Sequence, residues 1–577
     1  MPELSKLPRR AKLTNRNLLV AASAMFGVAM MSGPALGASI TSDEGLSPSP
    51  LGHYLASRHA QATHDLPAAA DLLGFALDAD PDNAQLLDTS FNLLMGAGRT
   101  DEALKVAKRM ESVGALDTVA RIALAIDRAK AKDFAAADAY LADVKGDGLE
   151  RFLVPMLRSW TLLKTKGLDA ATQALAPLGT VNGFEPLYEL QLGLLNDVGK
   201  HPAEARKHYD KAMDVANDAT FPMIQLIANF HLRQGDSKGA EALYAGFEKT
   251  HPRSLLTAPL RKDMAAGSKT APIVSTPADG MAEALFNLAV LLQGENSNDV
   301  ALLMARLATE GRPDDPLFNV LLADVLDAQS HIEDALALYH KVPPDSPYGW
   351  QAQIKIGEEL HKLGRDDEAT AYLQKLVDSR PDRPEAAAQL GDVLRAGKHF
   401  AEAAKAYDAA IARLPKPGAN DWSVYYFRGI ALERSDQWTK AESDFKKALE
   451  LQPDQPYVLN YLGYTWVDRG IHLDEAIAVL QKAIQQKPDD GFIIDSLAWA
   501  YYRLKQYDKA VVYQEKAIQL EPGDPVLNDH LGDMYWKVGR HTEARFQWQR
   551  ALAFKPDADQ VKPIEAKLQH GLDAAGG

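Results

Sequence analysis

The chain of 577 residues contains no cysteine. That excludes disulfides, thiolate metal sites and cysteine nucleophiles, and with them a lipid anchor attached through a cysteine after an export signal. Catalytic signatures are also missing. There is no His-Glu-x-x-His pair, no Gly-x-x-x-x-Gly-Lys-Ser/Thr loop and no Gly-x-Ser-x-Gly elbow. No metal or cofactor is therefore expected, and an enzyme is the least favoured class. Past Met31 no uninterrupted apolar stretch is long enough to span a bilayer. Positive charge is in deficit, with 63 Lys and Arg against 78 Asp and Glu. The formal charge is −15, and it becomes −19 once residues 1–38 are set aside. Bulk charge thus argues against nucleic acid or an anionic membrane surface as partner.

The start of the chain reads as an address. Lys6, Arg9, Arg10, Lys12 and Arg16 precede the apolar run Leu18–Met31, followed by the small residues Ala35-Leu36-Gly37-Ala38. A basic stretch, a short apolar run and a small-residue cleavage site predict a secretory signal peptide over 1–38. The apolar run has 14 residues, fewer than the roughly 20 a membrane helix needs. The mature protein is then expected outside the cytoplasm, in a bacterial periplasm. Residues 39–50 are rich in Ser, Pro and Gly and predict a disordered leader.

The rest of the chain is repetitive. Proline recurs at Pro453, Pro488, Pro522 and Pro556, spaced by 35, 34 and 34 residues. Between the last two the pattern is Leu531-Gly532, Tyr535, Ala544 and Trp548. This matches the tetratricopeptide template, in which each repeat is a helix–turn–helix unit that buries its apolar face only by stacking on its neighbours. The small residue of the second helix gives the register as Ala301, Ala335, Ala369, Ala403, Ala441, Ala476, Ala510 and Ala544. Its first-helix counterpart is Ala289, Ala323, Gly357, Gly391, Gly429, Gly463, Ala498 and Gly532. Small residues at both places let the two helices approach, and Tyr339, Tyr407, Phe445 and Trp548 are expected to plug the groove to the next repeat. Ala103, Ala137, Ala171 and Ala205 keep the 34-residue beat in a more degenerate N-terminal section.

The predicted fold is all-α: a right-handed superhelical solenoid of stacked tetratricopeptide repeats, about thirteen or fourteen of them. Degenerate repeats occupy 51–252 and clearer ones 282–556. Residues 253–281 break the beat and read as a linker or strap, either a hinge between two solenoid halves or an ordered segment crossing the surface. In 557–577, Val561, Ile564, Leu568 and Leu572 predict a capping helix with Lys562, Glu565, Lys567 and Gln569 outward.

First helices line the concave face of such repeats. Tyr457, Asn460 and Tyr464 share that stripe with Phe492, Asp495, Trp499 and Tyr502, and with Asp529, Asp533 and Trp536. Aromatic rings interleaved with carboxylates suit an extended peptide, the rings giving contact area and the carboxylates pairing with Lys, Arg or backbone amides. The alternative is that Trp499 and Trp536 pack into neighbouring repeats and the carboxylates are solvated. Tyr501 and Tyr535 lie one position off the stripe and are expected in the core, and His530 is expected to pack between helices.

A narrower resemblance lies in the last 130 or so residues. The segments Leu459–Tyr464, Asp495–Tyr502 and Asn528–Trp536, with Gly539-Arg540 and Gln547-Trp548, resemble a family of bacterial envelope tetratricopeptide proteins. The family includes a lipoprotein adaptor that partners a periplasmic carboxy-terminal processing protease. The resemblance implies a non-catalytic periplasmic adaptor that recruits protein partners, a protease and its substrates among them. Without cysteine this chain departs from the lipidated adaptor. The competing reading is a structural component of an envelope export or assembly machine, such as one handling polysaccharide.

Overall fold

The computed structural model describes residues 49–63, 65–144, 148–294 and 298–572. The expected signal peptide and nearly all of the 39–50 leader lie outside them. The described residues form thirty α-helices and two short 3-10 turns, with no strand among them. Apart from Ala258–Ala265 and Ala558–His570, the helices fall in chain order into fourteen pairs. The chain divides into two compact units, Met1–Gln353 and Ile354–Gly577. Each is an all-α superhelical stack of helix pairs.

Local chemistry sets the element ends. Second helices stop at Leu451, Gln486 and Leu520, and Pro453, Pro488 and Pro522 follow two residues later. Proline has no N–H to extend the helix and its ring clashes with the preceding turn. The next helix then opens on a capping side chain, Gln455 after Pro453 and a carboxylate after the other two. Asp490 accepts from the Ile493 N–H at 3.1 Å, and Asp524 from the Leu527 N–H at 2.9 Å. Pro525 occupies the first turn, where no N–H is needed.

The alanine ladder is the core. All eight residues from Ala301 to Ala544 in the register above are 0% exposed, as are Ala103, Ala137, Ala171 and Ala205 in the degenerate section. Tyr407, Phe445 and Trp548 also fill a gap inside their own repeats, a place the spacing did not show. Tyr407 lies over Gly391 of its own repeat, where an added β-carbon would sit 2.6 Å from the ring, and Trp548 lies over Gly532 in the same way. The ring fills the hole that glycine leaves on its partner helix, so it locks the pair before it touches the next repeat. Phe445 also does the latter, 5.2 Å from Tyr461.

Residues 253–281 lie within the first unit. The helix Ala258–Ala265 lays Leu260 and Met264 against Phe221, Tyr244 and Phe247, and Val274 is buried. Residues 266–276 are non-helical, and a helix resumes at Pro277. At the other end, Ala558–His570 caps the second unit with Ile564 and Leu572 buried. Lys567, expected outward on that helix, instead turns inward onto two aspartates. No described helix is long and apolar enough to cross a membrane.

Candidate protein-binding face

The stripe residues come from the first helices Pro456–Arg469, Gly491–Arg503 and Pro525–Lys537 of the second unit. Their three- and four-residue spacing puts them on one side of each helix. The small residues Gly463, Ala498 and Gly532 face the partner helix instead. Tyr501 and Tyr535 are buried, as their offset predicts.

The carboxylates of the stripe are already engaged. Asp495 accepts from Gln514 Nε2 at 2.6 Å and pairs with His530 Nδ1 at 2.8 Å. Asp529 and Asp533 both accept from Lys567 Nζ at 2.8 Å, and Trp548 Nε1 donates to Asp533 at 2.9 Å. The two sites follow one rule: a first-helix carboxylate meets a basic side chain on the following first helix or on the capping helix. Burial works against a charged His530, but Asp495, Asp529 and Asp533 outweigh it and raise the imidazole above its ordinary value. Burial and Asp529 push the Asp533 carboxyl up to about 6 against the pull of Lys567. These groups tie repeat to repeat. Sequence reasoning missed Lys567, Gln514 and His530 as their partners, although Lys567 stands 34 residues after Asp533 and so keeps the repeat beat.

The rings divide into two groups. Trp536 packs on His541 at 4.1 Å, lies 5.5 Å from Trp548, and is covered by Gly571, where no β-carbon would fit. Trp499 stacks between His530 at 4.2 Å and Tyr502 at 4.8 Å and remains half-buried. Phe492 and Tyr464 are 38% and 37% exposed, high for rings of that size. Tyr457 is half-buried and its hydroxyl accepts from Lys487. Asn460 Oδ1 is buried without a hydrogen-bond partner among the described residues. The face can therefore offer exposed ring edges, with its carboxylates and the Asn460 amide oxygen held inside the chain.

Two family models of the tetratricopeptide repeat match the second unit, one at residues 422–455 and 493–524 and the other at 354–417. The chain carries tetratricopeptide repeats at those positions, and such repeats act generally as protein-binding scaffolds. A tetratricopeptide repeat-containing protein of Pseudomonas aeruginosa is 30% identical over 186 residues, 32% of this chain and 30% of that protein. Tetratricopeptide repeat protein 13 of Homo sapiens is 32% identical over 142 residues, 25% of this chain and 16% of that protein. The chain thus spans less than a third of the length of either relative. Among solved structures, the APC/C hetero-tetramer Cut9–Hcn1 aligns at 17% identity and a TM-score of 0.37, covering 91% of this chain and 97% of that one.

Proposed function

We propose that this protein is a non-catalytic scaffold that recruits partner proteins along the first-helix face of its second unit. The observation that carries the reading is the row Tyr464, Phe492, Trp499 and Tyr502. These rings lie on consecutive first helices with enough exposed edge to meet a partner. Rings supply contact area at low entropic cost. Scaffolding works by apposition: two proteins held on one surface meet at raised effective concentration without bond-making chemistry in the scaffold.

The amino-terminal signal pattern supports a periplasmic location. The resemblance of the last three repeats to envelope adaptors supports delivery of substrates to a carboxy-terminal processing protease as the specific task. Crosslinking in cells, with a photoreactive residue in place of Phe492, tests both levels of the reading. Capture of a protease or its substrates supports the adaptor role, and capture of export or assembly components instead replaces it. Absence of any crosslinked protein, with the fold intact, overturns the scaffold reading at this face.

A further inference from the structure

The first unit carries a groove that is already occupied, and by the protein's own chain. Gln225 and Asn229 stand four residues apart on one side of the helix Phe221–Arg233, whose Ala228 is 0% exposed. Asn229 Nδ2 donates to the carbonyl of Ala271 at 2.8 Å. A side-chain amide on a backbone carbonyl grips an extended chain without reading its side chains. The gripped segment is the non-helical stretch 266–276; Ser275 and Thr276 at its end are anchored on Asp279, and the hold on the residues just before them is slight. Ala271 and Pro272 are exposed, Ile273 is half-buried, and Val274 alone of the four is buried.

Beside Ala271–Ile273 lies a cavity of about 300 Å³ that the segment leaves unfilled. Pro222, Leu226 and Tyr348 supply apolar wall, and Glu283, Arg312 and Asp315 a polar one. The ions there are mutually satisfied. Arg312 donates to Glu283 at 3.0 Å and to Asp315, and the other oxygen of Asp315 accepts from the Leu317 N–H at 2.9 Å. An occupant that brought a further charge would lose its water and find no free counter-ion. Tyr348 donates to Gln225 at 2.9 Å, so this edge is polar but closed.

We propose that this groove is a site for an extended, uncharged, proline-containing segment of a partner protein, and that Ala271–Val274 fill it as a resident competitor until such a segment displaces them. The proposal rests on the scaffold reading only in taking a protein segment as the occupant. The tether keeps the resident at high effective concentration, so the partner must make better use of the cavity than Ala-Pro-Ile-Val does.

The test uses the full chain and a fluorescein-labelled peptide of the uncharged residues 270–276. Binding is followed by anisotropy to the native chain and to one carrying Ile273→Gly and Val274→Ser. The expected result is binding to the double variant at least tenfold tighter than to the native chain. Adding Asn229→Ala should weaken it at least fivefold, and a scrambled peptide should not bind. No binding to a double variant that keeps its helicity overturns the proposal. Should the double variant fail to fold, Asn229→Ala in the native chain is compared for tryptic cleavage after the exposed Lys269. Cleavage at least fivefold faster supports the proposal, and an unchanged rate overturns it. Loss of capture at Phe492 with peptide exchange intact would sink the scaffold reading and leave this site standing, and the converse result would do the reverse.

Discussion

Lys567 donates to Asp533 at 2.8 Å from a helix that lies beyond the last repeat, and the same ammonium reaches Asp529. Its side chain is 13% exposed and that of Asp533 7%. Removing one partner of such a pair leaves the other charge buried and uncompensated. Lys567→Met is expected to cost about 3–5 kcal/mol, a figure typical of a broken buried pair. Thermal melting followed by circular dichroism checks it. Asp533→Asn added to Lys567→Met should recover part of the loss, and no recovery would show that packing rather than charge was lost.

The glycine holes make a second prediction. A β-carbon at Gly391 would meet the Tyr407 ring at 2.6 Å, and at Gly532 it would meet the Trp548 indole. Alanine is a better helix former than glycine, so on an exposed surface the change would stabilise. Here overpacking opposes and exceeds that gain. Gly391→Ala and Gly532→Ala should each lower stability by about 1–3 kcal/mol, read as a shift in denaturant midpoint.

Among the described residues, most turns inside a pair have one left-handed residue, such as Gly364 at φ 71°, Gly539 at φ 83° and Lys505 at φ 61°, and the turn after Pro456–Arg469 has two, Gly470 and His472. Lysine pays steric strain there that glycine avoids, while glycine adds freedom to the unfolded chain. The balance favours Lys505→Gly by about 0.5 kcal/mol, visible as a small rise in melting temperature. Lys505→Ala, which gains no conformational freedom, should show no rise.

Glu283 carries a pH signature in the first unit. Burial pushes its carboxyl up to about 7, and Asp315 adds to that, although Arg312 opposes. Its unfolded value is 4.5. Between those values the folded state holds the proton that the unfolded chain has lost, so stability falls as pH rises from 4.5 towards about 7. Glu283→Gln removes this dependence. The stability of the variant relative to the native protein should therefore climb across the same interval, measured by urea unfolding at several pH values. A difference that stays flat with pH would contradict the shift.

The helix pairs were legible because their cause is periodic: alanine at the crossing, proline after the second helix, and a beat of 34 residues. The face was legible in position but not in partnership. Asp495, Asp529 and Asp533 stand where the spacing puts them, yet spacing along one helix does not show that His530 and Lys567 close on them from elements 34 to 38 residues away. The same limit hid the fate of 253–281. Composition marks it as irregular, whereas the buried Val274 and the Asn229 bond that hold it to the first unit are contacts between distant residues. Trp536 shows how one glycine decides exposure, since Gly571 covers the indole only because it has no side chain.

That division of the rings fixes which of them report binding cleanly. Trp536 and Trp499 each stack on a histidine at 4.1–4.2 Å, so their removal would disturb the fold along with any partner contact. Phe492 and Tyr464 are more than a third exposed, so truncating them removes less buried area. Phe492→Ala with Tyr464→Ala should leave helicity intact and lower stability by about 2–4 kcal/mol in all, less than two fully buried rings would cost. The same pair should weaken partner capture at least tenfold, about 1.4 kcal/mol. Capture in cell extract and melting are measured on the same preparation. If helicity holds while capture persists undiminished, partners bind elsewhere on the chain. If capture falls only in step with melting, the two rings belong to the core.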